Sequence, residues 1–492
     1  MTQTATTRPT TSVLHFKPEG GWVGDVIPFE KDGRIWLFYL LEIRDDPTSG
    51  TGWALVSTTD FVHYTDHGTV LPSGGPDAED FNCYTGSLID DGDTIHLFYT
   101  GNNPNILAAD DTPQLQQVMH ATSEHGLLAW RKHPEHTFAA PPPYDPADWR
   151  DPFVYRVAPG QPWRMLLATR HLDGPPRRRG VVAQLISEDL ISWTPVEPLW
   201  DPRRYVTQEC PDVFQQDGWW YLVYSEFSDA FVTRYRIARD PDGPWHAPAY
   251  DTVDGRAFYA AKSLSAGGRR FFIGWIATKE GEVDDGAWQW AGTMSVLEAR
   301  SKSDGTIAFF IPPEMINAFN TTVPVRFAGR DSADRTVRLS ALDGYRVVMT
   351  QDQLPTTCYA AVAFDIEPHT RECGILLRAS ADGDTGYIVR LEPYRDRVVF
   401  DRWPRRRTGT GQWETSGDVP FMIELERPCP LPAGSHTVEL MMDDTTCVVV
   451  VDHTVALSAR IYDHPAGHLG LFTNDGAATV TLETLNRRPD QV

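Results

Sequence analysis

The chain has 492 residues, 41% of them hydrophobic, which is enough for real cores and for two or three domains. Its formal charge of −23 is opposed only by two short basic clusters, Arg177-Arg178-Arg179 and Arg405-Arg406-Arg407, so nucleic acid is not an expected partner. Sixteen Trp and 17 Tyr point instead to flat, hydroxyl-rich ligands such as sugars, beside their ordinary use in cores.

In chain order, the opening MTQTATTRPTTSVLHF has no apolar run of signal-peptide length, and no later segment approaches the roughly 18 apolar residues of a membrane span. The expectation is a cytoplasmic protein with no membrane partner, or a secreted one if a leader has been removed. Cys83, Cys210, Cys358, Cys373, Cys429 and Cys447 lie far apart with no CxxC pair, which argues for free thiols over a cysteine zinc site or a disulfide scaffold.

Short aromatic strands recur through the first 320 residues: RIWLFYLL from Arg34, TIHLFYTG from Thr94, PWRMLLATR from Pro162, GWWYLVYSE from Gly218 and RRFFIGWIA from Arg269. Each is followed, after a turn, by another strand, as in WALVSTTDFVHYT. At a spacing of about 50 to 70 residues each unit supplies one four-stranded blade, and five units predict a five-bladed β-propeller over residues 1–320. Long amphipathic helical patterns are missing, and Gly, Pro and Asp punctuate the region. After the Pro312 to Pro324 stretch the pattern changes to plain alternation, in TVRLSAL, YRVVMTQ, YAAVAFDIEP, GILLRAS, GYIVRLEPY, FMIELER, HTVELMM, CVVVVDH and ATVTLETL. These predict a β-sandwich over residues 325–492, so the whole chain reads as all-β.

A propeller gathers the first strands of its blades around one funnel, so residues distant in sequence converge there. Three acids stand at the entrance to apolar runs: Asp25 in GGWVGDVIPF, Asp151 in WRDPFVY and Glu209 in TQECPDVF. One at a time, turn chemistry explains them, since Asp-Pro is common in turns. Together in one funnel, three carboxylates require a ligand, a cation or mutual pKa adjustment.

With these residues in place, the chain resembles glycoside hydrolase family 32, the β-fructofuranosidases, fructanases and related fructosyltransferases. HFKPEGGWVGDVIPF is similar to the family's opening His-x-x-Pro and Trp-Met-Asn-Asp-Pro-Asn-Gly stretch, CYTGSLID to its Phe-Ser-Gly-Ser box, WRDPFVY to its Arg-Asp-Pro motif and ECPDVF to its Glu-Cys-Pro motif. DGRAFYAAKS, GTMSVLEARSKSDGTIAFFIPPE and HLGLFTNDGAATVTLETL are similar to later family segments.

The resemblance implies a five-bladed propeller plus a β-sandwich, with Asp25 as nucleophile, Glu209 as general acid/base and Asp151 as the transition-state stabiliser that holds sugar hydroxyls. Arg150 beside Asp151 would orient the carboxylates. Tyr84 and Ser87 match residues lining the sugar subsite, Trp22 and Trp53 are candidate walls, and Tyr259 is similar to a position at the funnel rim, with Lys262 near it. A retaining glycosidase needs one ionised carboxylate and one protonated carboxyl, and clustered negative charge is expected to keep Glu209 protonated while Asp25 stays ionised if it accepts backbone hydrogen bonds.

The expected reaction is cleavage of terminal β-fructofuranosyl linkages in sucrose-type substrates or fructans such as levan and inulin. Fructosyl transfer, for instance release of a difructose dianhydride as in levan fructotransferases, and a non-catalytic carbohydrate-binding propeller are the alternatives. Family 43 propellers also carry three acids but invert configuration and lack the Glu-Cys-Pro-Asp run. One departure bears on substrate range: Gly24 precedes the expected nucleophile where the family has Asn, and Val26-Ile27-Pro28 follows it. No cofactor is demanded, because carboxylates supply both nucleophile and proton; Asp90 to Asp93 offers a calcium loop or a solvated turn. Two roles are open to the second domain: packing beside the funnel, or pairing two copies into a homodimer.

Overall fold

A computed structural model of the chain describes residues 10–46, 48–106, 115–123, 126–329, 334–403 and 424–489. The Arg405-Arg406-Arg407 cluster and the start of FMIELER lie outside the described residues. The fold is all-β; among the described residues the one α-helix is Pro313–Asn317. Two compact units divide it: Met1–Val253, Phe258–Trp275 and Trp290–Ile307 in the first, Asp254–Ala257, Ile276–Gln289 and Ala308–Val492 in the second.

In the first unit each aromatic run forms the second strand of an antiparallel sheet. The first strands are Trp22–Lys31, Asn82–Asp90, Tyr144–Tyr155, Glu209–Gln216 and Phe258–Ala266. Each neighbours the next, and Phe258–Ala266 returns beside Trp22–Lys31, so they close a ring. Successive sheets stack face to face through the apolar residues at alternate strand positions. Ile27, Phe38 and Trp53 pack with Cys83, Leu97 and Tyr99. Phe98 and Val118 pack with Trp149, Met165 and Leu167, and Leu166 and Val182 pack with Val213 and Leu222. The fourth sheet has three strands, and the chain after it pairs through the isolated bridges Ile237–His246 and Arg234–Thr252, Pro241, Pro244 and Pro248 having no ladder donors.

One local device repeats along the ring. Between Val23 and Val26, Tyr84 and Gly86, Arg150 and Phe153, and Glu209 and Asp212, the first strand carries one residue more than its partner. These β-bulges re-aim the side chain at the bulge toward the ring's centre. Asp151, Cys210 and Ala260 hold φ of +59°, +50° and +53°, the left-handed region that non-glycine residues seldom occupy. Pro152 and Pro211 follow two of them, and having no N–H they leave no ladder donor orphaned there.

Side chains just past the bulges link neighbouring sheets. Val154 N–H donates to Ser87 Oγ (2.9 Å), and Ser263 N–H donates to Asp212 Oδ2 (2.6 Å).

The second unit is an eleven-stranded sheet built on two long strands, Thr336–Gln353 and His468–Arg487, paired along most of their length. The expected strands TVRLSAL and YRVVMTQ are thus one strand, with the Asp343-Gly344 pair making a register shift instead of a turn. Glu372–Ala379 pairs with the first part of His468–Arg487 and Cys358–Ile366 with the rest. Buried Asp254 accepts from Ser458 N–H (2.8 Å) and Oγ–H (2.7 Å), which anchors Asp254–Ala257 in this unit. All six cysteines are buried and unbridged.

Replacing Ser87 with Ala leaves the buried Val154 N–H without its acceptor. We predict a loss of about 1–3 kcal/mol in denaturant unfolding with KM unchanged.

Candidate active site

The bulged strands deliver Asp25, Asp151 and Glu209 to one cavity of about 630 Å³ at the ring's centre, within the first unit. Tyr84, Thr85, Gln116, Asp148, Arg150, Phe231, Tyr259, Trp290 and Glu42 also line it.

Asp25 has both oxygens occupied. Trp275 Nε1–H donates to Oδ1 (3.0 Å), the Thr85 hydroxyl donates to Oδ2, and the Cys210 thiol approaches Oδ2 at 3.6 Å. Burial raises its pKa above the usual carboxylate range and Asp151 adds to the rise, while the three donors oppose it. These donors are side chains where backbone amides were expected. Burial holds the Cys210 thiol well above its ordinary value, so it remains a donor.

Asp151 is buried, its N–H bonded to Thr100 Oγ1 (2.8 Å) and its Oδ2 accepting from the Cys210 N–H (2.8 Å). Arg150 reaches across the cavity floor to Glu209 Oε1 (3.0 Å), Thr207 Oγ1 (2.8 Å), Gln116 Oε1 (3.3 Å) and Asp148. Burial works against its charge, but Glu209, Asp148 and Asp151 together hold the guanidinium firmly protonated.

Glu209 accepts from Arg150 through one oxygen and from the Tyr259 hydroxyl through the other (2.7 Å). Its carboxyl is pushed up to about 7, first by burial; Arg150 pulls down, Asp151 pushes up, Tyr259 pulls down and Asp25 pushes up. Clustered charge alone was the expected cause, and burial proves the larger one. Phe231 stacks on Tyr259 at 4.0 Å between centroids, and Trp275 meets Tyr259 edge-on at 5.6 Å, which fixes the phenol.

Of the remaining expected residues, Tyr84 and Tyr259 line the cavity, and four do not. Trp53 is 0% exposed in the core, its Nε1–H bonded to the carbonyls of Cys83 and Tyr84. Ser87 faces the next sheet, because the bulge before it flips the alternation. Trp22 lies under the cations of Lys17 (3.6 Å) and Arg44 (4.8 Å). Lys262 is buried, with Nζ on the Pro211 carbonyl (3.4 Å). Sequence reasoning missed Thr85, Trp275, Trp290, Phe231 and Asp148. Thr85 stands inside CYTGSLID and Asp148 directly precedes WRDPFVY, whereas nothing local marks Phe231 or the two tryptophans. Gly24 has a steric reason: a Cβ there would lie 2.5 Å from Trp290 Cη2, so the ring stands where a side chain on residue 24 would begin.

Two carboxyls, one held protonated near neutrality and one tethered by hydrogen-bond donors, in a sugar-sized cavity make this an enzyme of the glycosidase class. The chain belongs to glycosyl hydrolases family 32: the model of that family's N-terminal domain matches residues 15–306. It is 24% identical to a sucrose-6-phosphate hydrolase of Escherichia coli over 95% of this chain and 92% of that one. Similar folds include an exo-inulinase from Aspergillus awamori (TM-score 0.71, 18% identity, 96% of this chain and 98% of that one) and fructan 1-exohydrolase IIa from Cichorium intybus (TM-score 0.70, 16% identity, 98% of each).

A carboxyl whose pKa rises on folding favours the protonated native state, so its contribution is present below the unfolded pKa and is lost as pH climbs to about 7. Glu209→Gln removes that loss. We predict that the variant is more stable than the parent at pH 8, on the order of 1–3 kcal/mol, and that thermal unfolding shows the difference shrinking toward pH 5.

Proposed function

We propose that the chain is a retaining β-fructofuranosidase, with residues 1–320 read as a five-bladed propeller carrying the site and 325–492 as a β-sandwich. The observation that carries this is the placement of Cys210: next to Glu209 in the chain, its N–H on Asp151 and its S–H on Asp25.

In this reading Asp25 attacks the anomeric carbon of a terminal fructosyl unit while Glu209 donates its proton to the departing glycosidic oxygen. The Glu209 carboxylate, held by Arg150 and Tyr259, then takes a proton from water, which attacks the fructosyl–Asp25 ester and releases fructose with retained configuration. The three donors on Asp25 stabilise its charge before attack and again as the carboxylate is expelled from the anomeric carbon. Asp151, desolvated and tied to Cys210, is the group for fructosyl hydroxyls, with Arg150 countering the acidic surround. Relatives named as hydrolases support hydrolysis over transfer. The Gly24–Trp290 arrangement puts an aromatic face where the family has an amide, and such a face suits the apolar side of a sugar.

Substrate charge follows from the lining. Asp25, Glu42, Asp148, Asp151 and Glu209 are acidic, among the described residues Arg150 alone is basic, and Arg150 is already engaged by Asp148 and Glu209. A neutral fructoside suits this cavity better than a phosphorylated one.

Asp25→Asn is expected to lower sucrose turnover on the order of 10⁴-fold or more with the fold intact by circular dichroism. An unfolded variant would make Asp25 structural. Assayed side by side, sucrose should give a higher kcat/KM than sucrose 6-phosphate; the reverse order would reject the charge argument.

A further inference from the structure

Away from the cavity, four histidines from three places in the second sheet's neighbourhood come together. His96 and His120 sit on the paired strands Ile95–Asn102 and Gln116–Ser123; His133 precedes and His136 ends the single turn Pro134–His136. Ring centroids are 5.2 Å apart for His96–His120 and for His120–His136, and 5.0 Å for His133–His136. The His133 N–H bonds to the His120 carbonyl at 2.8 Å, which locks the turn onto the strand.

The hydrogen bonds run in one direction. Asp91 Oδ2 is an acceptor only, so the His96 Nε2 at 3.2 Å carries the proton. With the ring neutral, His96 Nδ1 accepts from His120 Nε2 at 3.0 Å, and His120 Nδ1 accepts from His136 Nδ1 at 2.9 Å. The relay ends on His136 Nε2, left as an unprotonated lone pair. A carboxylate acting through an imidazole to fix the tautomer of the next is the usual support for a metal-binding histidine.

Beside it, His133, Glu135 and His136 each offer one ligand atom, all within 4.8 Å of one another. The 3.1 Å from His133 Nδ1 to Glu135 Oε1 is about the edge of a zinc tetrahedron, whose bonds are about 2.0–2.1 Å. Thr122 Oγ1, 2.8 Å from His133 Nε2, fixes that ring from behind. Glu135 and His136 also line an adjoining surface cavity of about 480 Å³, which gives an ion an entry path.

We propose that His133, Glu135 and His136 form a binding site for a zinc-class divalent transition metal, with the Asp91–His96–His120 relay as its positioning support. Two imidazoles and a carboxylate select zinc, cobalt, nickel or copper over calcium and magnesium. Three protein ligands leave a fourth position for water or a small ligand from the adjoining cavity. Metal binding uses the His133 Nδ1 lone pair, with the ring's proton on Nε2 donating to Thr122 Oγ1.

The test uses the untagged full chain, dialysed against a chelator, titrated with Zn²⁺ by calorimetry and with Co²⁺ by its visible d–d bands. One ion per chain, a raised Tm with Zn²⁺ and no response to Ca²⁺ are expected. Glu135→Gln and His136→Gln should each weaken binding about 100-fold, and His120→Ala about tenfold through the relay. Glu135 is exposed, so its variant keeps the test valid if a histidine variant fails to fold by circular dichroism. The proposal is overturned by an absence of saturable binding in the parent chain, or by binding of equal strength in Glu135→Gln and in the His133→Gln, His136→Gln double variant.

Discussion

The Cys210 bulge is the constraint on which the site depends. Its left-handed backbone costs about 1–2 kcal/mol, and it turns the peptide so that the amide meets Asp151 while the thiol meets Asp25. Glu209, one residue earlier, is carried into the same cavity. A residue with ordinary strand geometry would keep the alternation and send its side chain into the sheet-to-sheet core. The repeated bulges at Asp25, Thr85 and Asp151 do the same on neighbouring strands, so the convergence is a property of the ring and not of one loop. Strain of this kind persists only where the surrounding packing determines the conformation, and the face-to-face sheets supply that packing.

Convergence creates an electrostatic problem that the same residues divide between them. Three carboxyls near one another cannot all ionise cheaply. Glu209 takes up the proton, because burial and its acidic neighbours outweigh Arg150 and Tyr259. Asp25 receives donors on both oxygens, and Asp151 receives a peptide N–H. Tyr259 stays protonated, since burial and Glu209 raise its hydroxyl well above the ordinary value. The asymmetry between Glu209 and Asp25 thus comes from which partner each carboxyl meets, not from the carboxyls themselves.

Much of this was legible in the sequence, and the limits are physical. The aromatic runs read as strands because packing between sheets demands apolar residues there, and Arg-Asp-Pro and Glu-Cys-Pro marked the acids of the site, though not the bulges that aim them. Ser87 was misplaced because a single inserted residue reverses inside and outside, and periodicity does not report where the reversal falls; Trp53 lies on the third strand, Trp53–Thr58, away from the bulged first strands. Trp275 reads as core in RRFFIGWIA, and only the ring brings its indole N–H to Asp25, 250 positions away. Asp343-Gly344 looks like a hairpin turn, yet a long partner strand holds it straight with a register shift. The placement of Asp254–Ala257 with the second unit rests on Ser458, a pairing no local pattern announces. His96, His120, His133 and His136 lack metal-motif spacing because their meeting depends on strand pairing and one locked turn.

The central claim, that Asp25 is the group bonded to sugar midway through turnover, is most directly tested by covalent capture. Glu209→Ala protein supplied with a fructoside bearing a leaving group that needs no proton should accumulate the intermediate, and acid quench with peptide mapping by mass spectrometry locates it. A single fructosyl adduct on the peptide containing Asp25 is the predicted result. An adduct on another carboxylate, or release of fructose with inverted configuration and no adduct, would contradict the account.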